Sequence, residues 1–327
     1  MVDQAISVGR TFSLIRVQQY AALAAFAALL LFNIAVTPHF VSLQTFNVNM
    51  TQVTPILIVA VGMTFVIATS GIDLSVGSLM AVAGQLAPII FLGKIVPLPH
   101  ALAIFLAFVV PIAVTGLLGL FNGALVSRYR IQPIVATLVL FIAGRGIAQV
   151  LTNGNLQTFR MPDFQWIGLG HVAGLPVQMI LMLVIVAAAA WALRRTLFGR
   201  EVLAVGGNER AARLSGIPVA RIKRRVYAIS GVCAGLAGLI VVAINSSSDA
   251  NQVGIGMELD AIAAVAVGGT LFAGGKASIV GTLIGALTIQ LVRYSLIANG
   301  VPDAAALIVK AGLIILAVWV QRIGRAA

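Results

Sequence analysis

The chain is 327 residues long, 60% hydrophobic and only 9% charged, whereas a soluble domain carries about 25% charged residues and is less than half apolar. With a mean hydropathy of +1.07, this excludes a water-soluble globule and makes lipid the solvent for much of the surface. The net charge of +12 would point to nucleic acid in a soluble protein, but here the basic residues lie between apolar runs, as orientation signals do, so no nucleic-acid partner is expected.

Residues 1–19 read as a cytoplasmic segment. They are not followed by a short apolar run with a small-residue cleavage site, so Tyr20–Val36 reads as a retained first span. A bilayer core about 30 Å thick needs about 20 apolar helical residues. Ten spans are predicted, at 20–36, 53–69, 76–92, 101–126, 131–151, 176–193, 226–244, 258–273, 278–297 and 304–321. The second, third and eighth are interrupted or bordered by Gly-rich turns. The expected fold is an all-α polytopic membrane protein of about ten helices, some broken or Gly-interrupted. It forms one transmembrane domain over 1–327, and no soluble domain is expected. Cys233 lies inside an apolar run and reads as a packing residue; as the lone cysteine it cannot form an intramolecular disulfide.

Charge sets the orientation. With the N-terminus inside, the inner segments hold Arg10, Arg16, Arg128, Arg130, Lys276, Arg322 and Arg325. The loop 194–225 adds Arg194, Arg195, Arg200, Arg210, Arg213, Arg221, Lys223, Arg224 and Arg225. The outer segments hold Lys94 and Arg160 only. Sixteen against two predicts both termini inside. Asp73 then falls in the inner turn between the second and third spans. Glu258 and Asp260 open the eighth span from the outer side.

Val59-Ala-Val-Gly-Met-Thr-Phe65 is similar to Val265-Ala-Val-Gly-Gly-Thr-Leu271, and Ser75-Val-Gly-Ser-Leu79 to Ile279-Val-Gly-Thr-Leu283. Transporters often carry such repeats, although chance similarity in an Ala/Val/Gly-rich chain is an equal alternative. Gly119-x-x-x-Gly123, Gly231-x-x-x-Gly235 and Gly281-x-x-x-Gly285 allow close helix contact and say nothing about substrate.

Catalytic patterns are missing. The nearest approach to a phosphate-cradling loop, Thr270-Leu-Phe-Ala-Gly-Gly-Lys276-Ala277, lacks the first Gly and the Mg²⁺-binding hydroxyl, and it lies in a membrane turn. His39, His100 and His171 are scattered over outer segments and suggest no metal site. The chain is therefore expected to be no enzyme and to hold no cofactor; energy for active transport comes from a partner or an ion gradient. Arg145, Arg293 and Lys310 lie within spans, where ionisable groups default to a functional reading. Snorkelling suits Arg293. For Arg145, an outer-mouth pairing with Glu258 or Asp260 is expected. No carboxylate lies clearly mid-span, which weighs against ion coupling.

Within the inner loop, Gly206-Gly-Asn208-Glu209-Arg-Ala-Ala-Arg213-Leu-Ser-Gly216-Ile-Pro218 predicts a short bracketed helix. Asn208 is a good N-cap, Glu209 suits the positive helix start, and Gly216 with Pro218 stops it. It forms a rigid peg that another protein can grip, or else an ordinary loop helix among anionic lipid headgroups.

These segments resemble a known family. Gly71-Ile-Asp-Leu-Ser-Val-Gly77, the Asn208–Gly216 segment, and Glu258-Leu-Asp-Ala-Ile262 followed by Gly268-Gly-Thr are similar to the ribose-type sugar permeases of bacterial ABC importers, in the same order and over nearly the whole chain. Ile131-Gln-Pro-Ile-Val-Ala-Thr137, Ala143-Gly-Arg-Gly146 and Asp249-Ala-Asn251 look most like a galactofuranose-type permease. The resemblance implies a multi-pass subunit of the bacterial inner membrane that imports a monosaccharide. It implies as partners a second permease copy (homodimer, or heterodimer with a paralogue), a cytoplasmic ABC ATPase that binds the ATP and Mg, a periplasmic sugar-binding protein, and membrane lipid. It also makes Asn208, Glu209, Arg210, Ala211, Ala212, Arg213, Leu214, Ser215 and Gly216 the coupling helix to the ATPase. Gly71 and Gly77 permit a bend between helices, while Asp73 and Ser75 can cap freed amides of the next helix. Broken helices at membrane depth line cavities, so these four residues are candidates for the translocation path. Gln85 and Asn122 are in-span amides that suit sugar hydroxyls or, equally, interhelical bonds. The competing class is an ion-coupled secondary sugar transporter.

Overall fold

The computed structural model describes residues 22–302 and, beyond them, 305, 308, 309, 311, 312 and 315. The N-terminal segment 1–19 with Arg10 and Arg16, two thirds of the expected tenth span 304–321 including Lys310, and Arg322 and Arg325 lie outside the described residues.

Helix α1 (Ala22–Val36) is short and apolar. After it come α2 (Leu43–Ala68), α3 (Val76–Phe91), α4 (His100–Ser127) and α5 (Pro133–Leu151). The long connection between the fifth and sixth expected spans carries strand β1 (Gln157–Thr158), helix α6 (Pro162–Leu169) and the two-residue strands β2 (His171–Val172) and β3 (Leu175–Pro176). Then follow α7 (Val177–Arg195), α8 (Leu197–Gly207), α9 (Glu209–Leu214), α10 (Val219–Asn245), β4 (Ser247–Ser248), α11 (Met257–Val267) and α12 (Ile279–Ala298). Strands β1 and β4 pair antiparallel, with Gln157 opposite Ser248, and β2 pairs with β3. These short strands are the only departure from an all-helical chain among the described residues.

Six helices, α2, α4, α5, α7, α10 and α12, are long and apolar enough to cross a membrane. Burial ranks them. In the apolar stretch of α2, 83% of residues are buried, against 22% for α4. Helix α2 is therefore a central post, while α4, α5 and α7 form the rim. Leu102, Phe105, Val109, Leu117 and Phe121 of α4 are exposed, as lipid contact requires.

Close backbone approach holds the centre together. Helices α4 and α10 cross at their Gly-x-x-x-Gly pairs. A Cβ on Gly231 would collide with the Thr115 carbonyl, and one on Gly119 with the Tyr227 carbonyl. Gly281 and Gly285 do the same for α12 against Gly268, just past the end of α11, and Ala264 within it. In a bilayer, where apolar packing against lipid is no worse than against protein, such shape-fitting is a main source of helix association.

Two elements differ from expectation. Helix α11 stops at Val267 and runs 11 residues, about 16 Å at helical rise, because Gly268 and Gly269 turn the chain, the latter at φ +79°. The repeated heptads consequently sit differently: Val59–Phe65 lies inside α2, whereas Val265–Leu271 straddles the end of α11. The second halves do match, since both open a helix, α3 and α12. The loop 194–225 also contains α8, capped by Thr196, whose hydroxyl accepts from Gly199 N at 3.2 Å.

Candidate functional site

The Gly71–Gly77 segment is a non-helical turn over residues 71–75 that enters α3 at Val76 and Gly77. It follows Ser70, in the left-handed region at φ +61°, which ends α2. The freed backbone groups need partners at this depth, and side chains of four helices supply them. Asp73 is fully buried. Its Oδ1 accepts from Ser75 N (3.0 Å) and Ser75 Oγ (2.6 Å), and its Oδ2 accepts from Ser230 Oγ of α10 (2.8 Å). Asn122 Nδ2 of α4 donates to Ser75 Oγ at 3.0 Å. Tyr227 of α10 donates to the Ile72 carbonyl at 3.3 Å, and Leu74 N donates to Thr137 Oγ1 of α5 at 3.2 Å. Ser78 Oγ bridges the Ser75 and Leu140 carbonyls at 2.8 and 3.0 Å.

The turn thus joins Asp73, Ser75 and Asn122 in one buried chain that ends on Ser230. Asp73 holds the amide of Ser75, ahead of α3, and Ser75 itself makes no side-chain cap to that helix. Gln85 is fully buried in α3, and neither of its amide atoms has a hydrogen-bond partner among the described residues. Gly71 abuts the Tyr227 hydroxyl and Val66, and Gly77 abuts the Gly254 carbonyl and Glu258 Oε2. Side chains at either position would push the turn off its supports.

Arg145 reaches the other end of this segment. Its Nη1 donates to the carbonyls of Ala250 (2.6 Å) and Val253 (2.7 Å), and its Nη2 to that of Gly77 (3.4 Å). Its direct bonds are therefore to backbone, and Glu258 and Asp249 act on it as nearby charges. Glu258 and Asp260 are buried in the first turn of α11, where negative charge suits the helix dipole. Among the described residues no group of three or more His, Cys, Asp or Glu side chains stands close enough to hold a metal ion.

The loop 194–225 forms the second part of the site. Asn208 Oδ1 accepts from Ala211 N at 2.9 Å and starts α9. Gly216, at φ +81°, ends it, with Gly216 N donating to the Arg213 carbonyl and Ile217 N to that of Ala212. Glu209 pairs with Arg213 one turn on (3.0 Å) and with Lys223 of α10 (2.6 Å). Burial works against ionisation of Glu209, but Lys223 and then Arg213 outweigh it and hold the carboxyl below its usual value. Ala212 faces inward, while Leu214 is 83% exposed at the helix end.

Ser230, Tyr227, Thr137 and Ser78 were not singled out by sequence reasoning. Lys223, Tyr227 and Ser230 were visible as a polar stripe at i, i+4 and i+7 on one face of an otherwise apolar helix.

Comparison with known proteins shows the family of the chain. The family described as "Branched-chain amino acid transport system / permease component" matches residues 44–318. The ribose import permease protein RbsC of Escherichia coli (strain K12) is 40% identical over 98% of this chain and 99% of its own length. The galactofuranose transporter permease protein YtfT of the same strain is 40% identical over 91% of this chain and 88% of its own. The fructose import permease protein FruF of Bifidobacterium longum is 39% identical over 75% of this chain and 68% of its own. No solved structure matches the chain significantly. Six membrane-length helices and a family match over most of the sequence lead to one conclusion: the chain belongs to this family of transport-system permease components and is a multi-pass protein of the bacterial inner membrane.

Proposed function

We propose that the chain is the permease subunit of a binding-protein-dependent ABC importer, and that it carries a monosaccharide inward at the expense of ATP hydrolysed by a partner. The observation that carries this is α9: a short helix capped at both ends, braced by Glu209–Lys223, with Leu214 projecting from its end. A lipid-facing loop has no need of such bracing, whereas a peg that transmits rigid-body motion does. In this reading Asn208–Gly216 couples to a cytoplasmic ATPase, which binds ATP and Mg. A periplasmic binding protein delivers the sugar. Two permease copies, alike or paralogous, enclose the path.

The topology proposed is ten spans with both termini inside, in one domain over 1–327, with 194–225 facing the cytoplasm. The turn Gly71–Gly77, with Gln85 and Asn122, borders the path. The sugar named for the relatives differs among ribose, galactofuranose and fructose, and the ribose and galactofuranose proteins are equally similar, so the proposal stops at a monosaccharide. Reconstitution in proteoliposomes with ATPase and binding protein tests it. Uptake that needs ATP and the binding protein is expected. Uptake driven by a proton or sodium gradient without the ATPase would overturn the proposal in favour of a secondary transporter.

A further inference from the structure

The end of α8, immediately before α9, is locked to two separate turns of the membrane domain. Ser70 Oγ donates to the Gly206 carbonyl of α8 (3.2 Å) and to the Ala273 carbonyl in the turn between α11 and α12 (2.7 Å). Gly275 N of that turn donates to the Ala68 carbonyl at the end of α2 (3.0 Å). The backbones touch. A Cβ on Gly206 would collide with the Ala68 carbonyl and with Gly275 N, and a Cβ on Gly275 with Gly207. The two turns, 69–75 and 268–278, precede the helices α3 and α12 that the internal repeat had paired. One layer deeper, the Thr64 and Thr282 hydroxyls meet at 2.8 Å.

Helix α9 is also joined to the first turn from its other side. Glu209 holds Lys223, and the same stripe of α10 carries Tyr227 to the Ile72 carbonyl and Ser230 to Asp73. The short helix therefore lies between two connections that both end on residues 69–75.

We infer that Ser70 is the positioning residue that passes movement of α9 to both helix-breaking turns at once. This rests on the proposed coupling role of α9. Its hydroxyl lies between the Gly206 and Ala273 carbonyls, so a shift of α8 either drags both turns with it or breaks the Gly206 contact. Packed side chains, hydrogen bonds and rigid elements with discrete arrangements can carry coupling between sites. Here glycines remove the side chains that would hold the three backbones apart, and a single hydroxyl joins them. The left-handed backbone at Ser70 is costly for any residue but glycine. The presence of serine there is explained if the hydroxyl is needed.

Ser70→Gly is the probe, since glycine accepts φ +61° and removes the CH2OH group that carries the hydroxyl. In the reconstituted complex, sugar carried per ATP hydrolysed should fall about fivefold or more, the low end of ordinary coupling between sites. The thermal midpoint of the detergent-purified permease and the basal ATPase rate should stay near wild type, which a merely structural loss would not allow. An unchanged ratio overturns the proposal. Hydrogen exchange in the wild-type complex gives a second measurement, independent of whether the variant folds. Residues 69–75 and 270–276 should respond to ATP together, and a response in one turn alone also overturns it. A wild-type complex with no ATP-driven uptake overturns the importer reading, and this proposal with it. A working wild type beside a fully coupled Ser70→Gly complex overturns the clasp alone.

Discussion

Asp73 shows how one side chain can hold a break in a membrane helix. Its two oxygens serve different neighbours, Oδ1 its own turn through Ser75 and Oδ2 helix α10 through Ser230. Asparagine reproduces both contacts, because its carbonyl accepts from Ser75 and its amide can donate to a rotated Ser230 hydroxyl. Asp73→Asn should therefore keep most transport activity and a near-native thermal midpoint in detergent. Asp73→Ala leaves the Ser75 amide and two hydroxyls without partners, and should cost about 3 kcal/mol. A well-folded but inactive Asp73→Asn protein would show that the charge itself is required. Glu209 makes a different kind of contact, half-exposed and charge-assisted. Since its folded pKa lies below the ordinary 4.5, the pairing with Lys223 contributes fully above pH 4.5 and is lost as pH falls through the folded value. Hydrogen exchange at residues 209–214, corrected for the intrinsic pH effect, should therefore quicken below pH 4.5. Glu209→Gln should show the faster exchange already at neutral pH. Equal exchange in the two proteins at neutral pH would mean that α9 is held by Ala212 and its caps alone.

At the scale of elements, the glycines of this bundle are not interchangeable. Gly231 lies where α10 crosses α4, with no room for a methyl group beside the Thr115 carbonyl. Gly146, in the middle of α5, has nothing within 4 Å of the place a Cβ would occupy. Gly231→Ala should lower stability by about 1–3 kcal/mol through overpacking. Gly146→Ala should raise it by up to about 1 kcal/mol through helix propensity. Thermal unfolding of the two purified variants checks the sign of each; a neutral Gly231→Ala would mean that the α4–α10 crossing can loosen. The same contrast explains what was legible in advance. Helices such as α4 and α7 appear in the sequence as long apolar runs because lipid selects for such runs whatever the packing. Helix α9 was visible because Asn208 and Gly216 are local signals. Helix α8 was not, since it has polar and apolar residues mixed over 11 positions and its Thr196 cap was buried in a basic stretch. The end of α11 was misplaced because Gly268 and Gly269 resemble the permissive glycines of a continuing span until their backbone angles are known. The long-range partners of the turn were hidden for another reason: Ser230, which holds Asp73, and Tyr227, which holds the Ile72 carbonyl, lie more than 150 residues away, and no local pattern announces such a pairing.

For the whole molecule, the asymmetry of basic residues was the strongest single signal, and it makes a testable statement about direction. Leu214 is 83% exposed at the end of α9, and Trp166 is 55% exposed on α6. With ten spans and both termini inside, these two positions face opposite compartments: α9 lies in the loop with nine basic residues, and α6 in the connection that carries only Arg160. Cys233, the sole cysteine, is buried in α10, so single-cysteine variants can be made at either position with little background labelling. A membrane-impermeant maleimide applied to intact cells should modify Trp166→Cys and leave Leu214→Cys untouched, and opening the cells should expose the second. Labelling of Leu214→Cys in intact cells would reverse the orientation. It would place α9 on the side where no ATP is found, and the coupling role of Asn208–Gly216 would fall with it. Labelling of both positions in intact cells would mean an odd number of crossings between α6 and α9 does not hold, and α7 would have to lie outside the bilayer despite its 19 apolar-rich residues. The charge count and the length of α7 both argue for the first outcome, because moving nine cations across the membrane is far costlier than moving one.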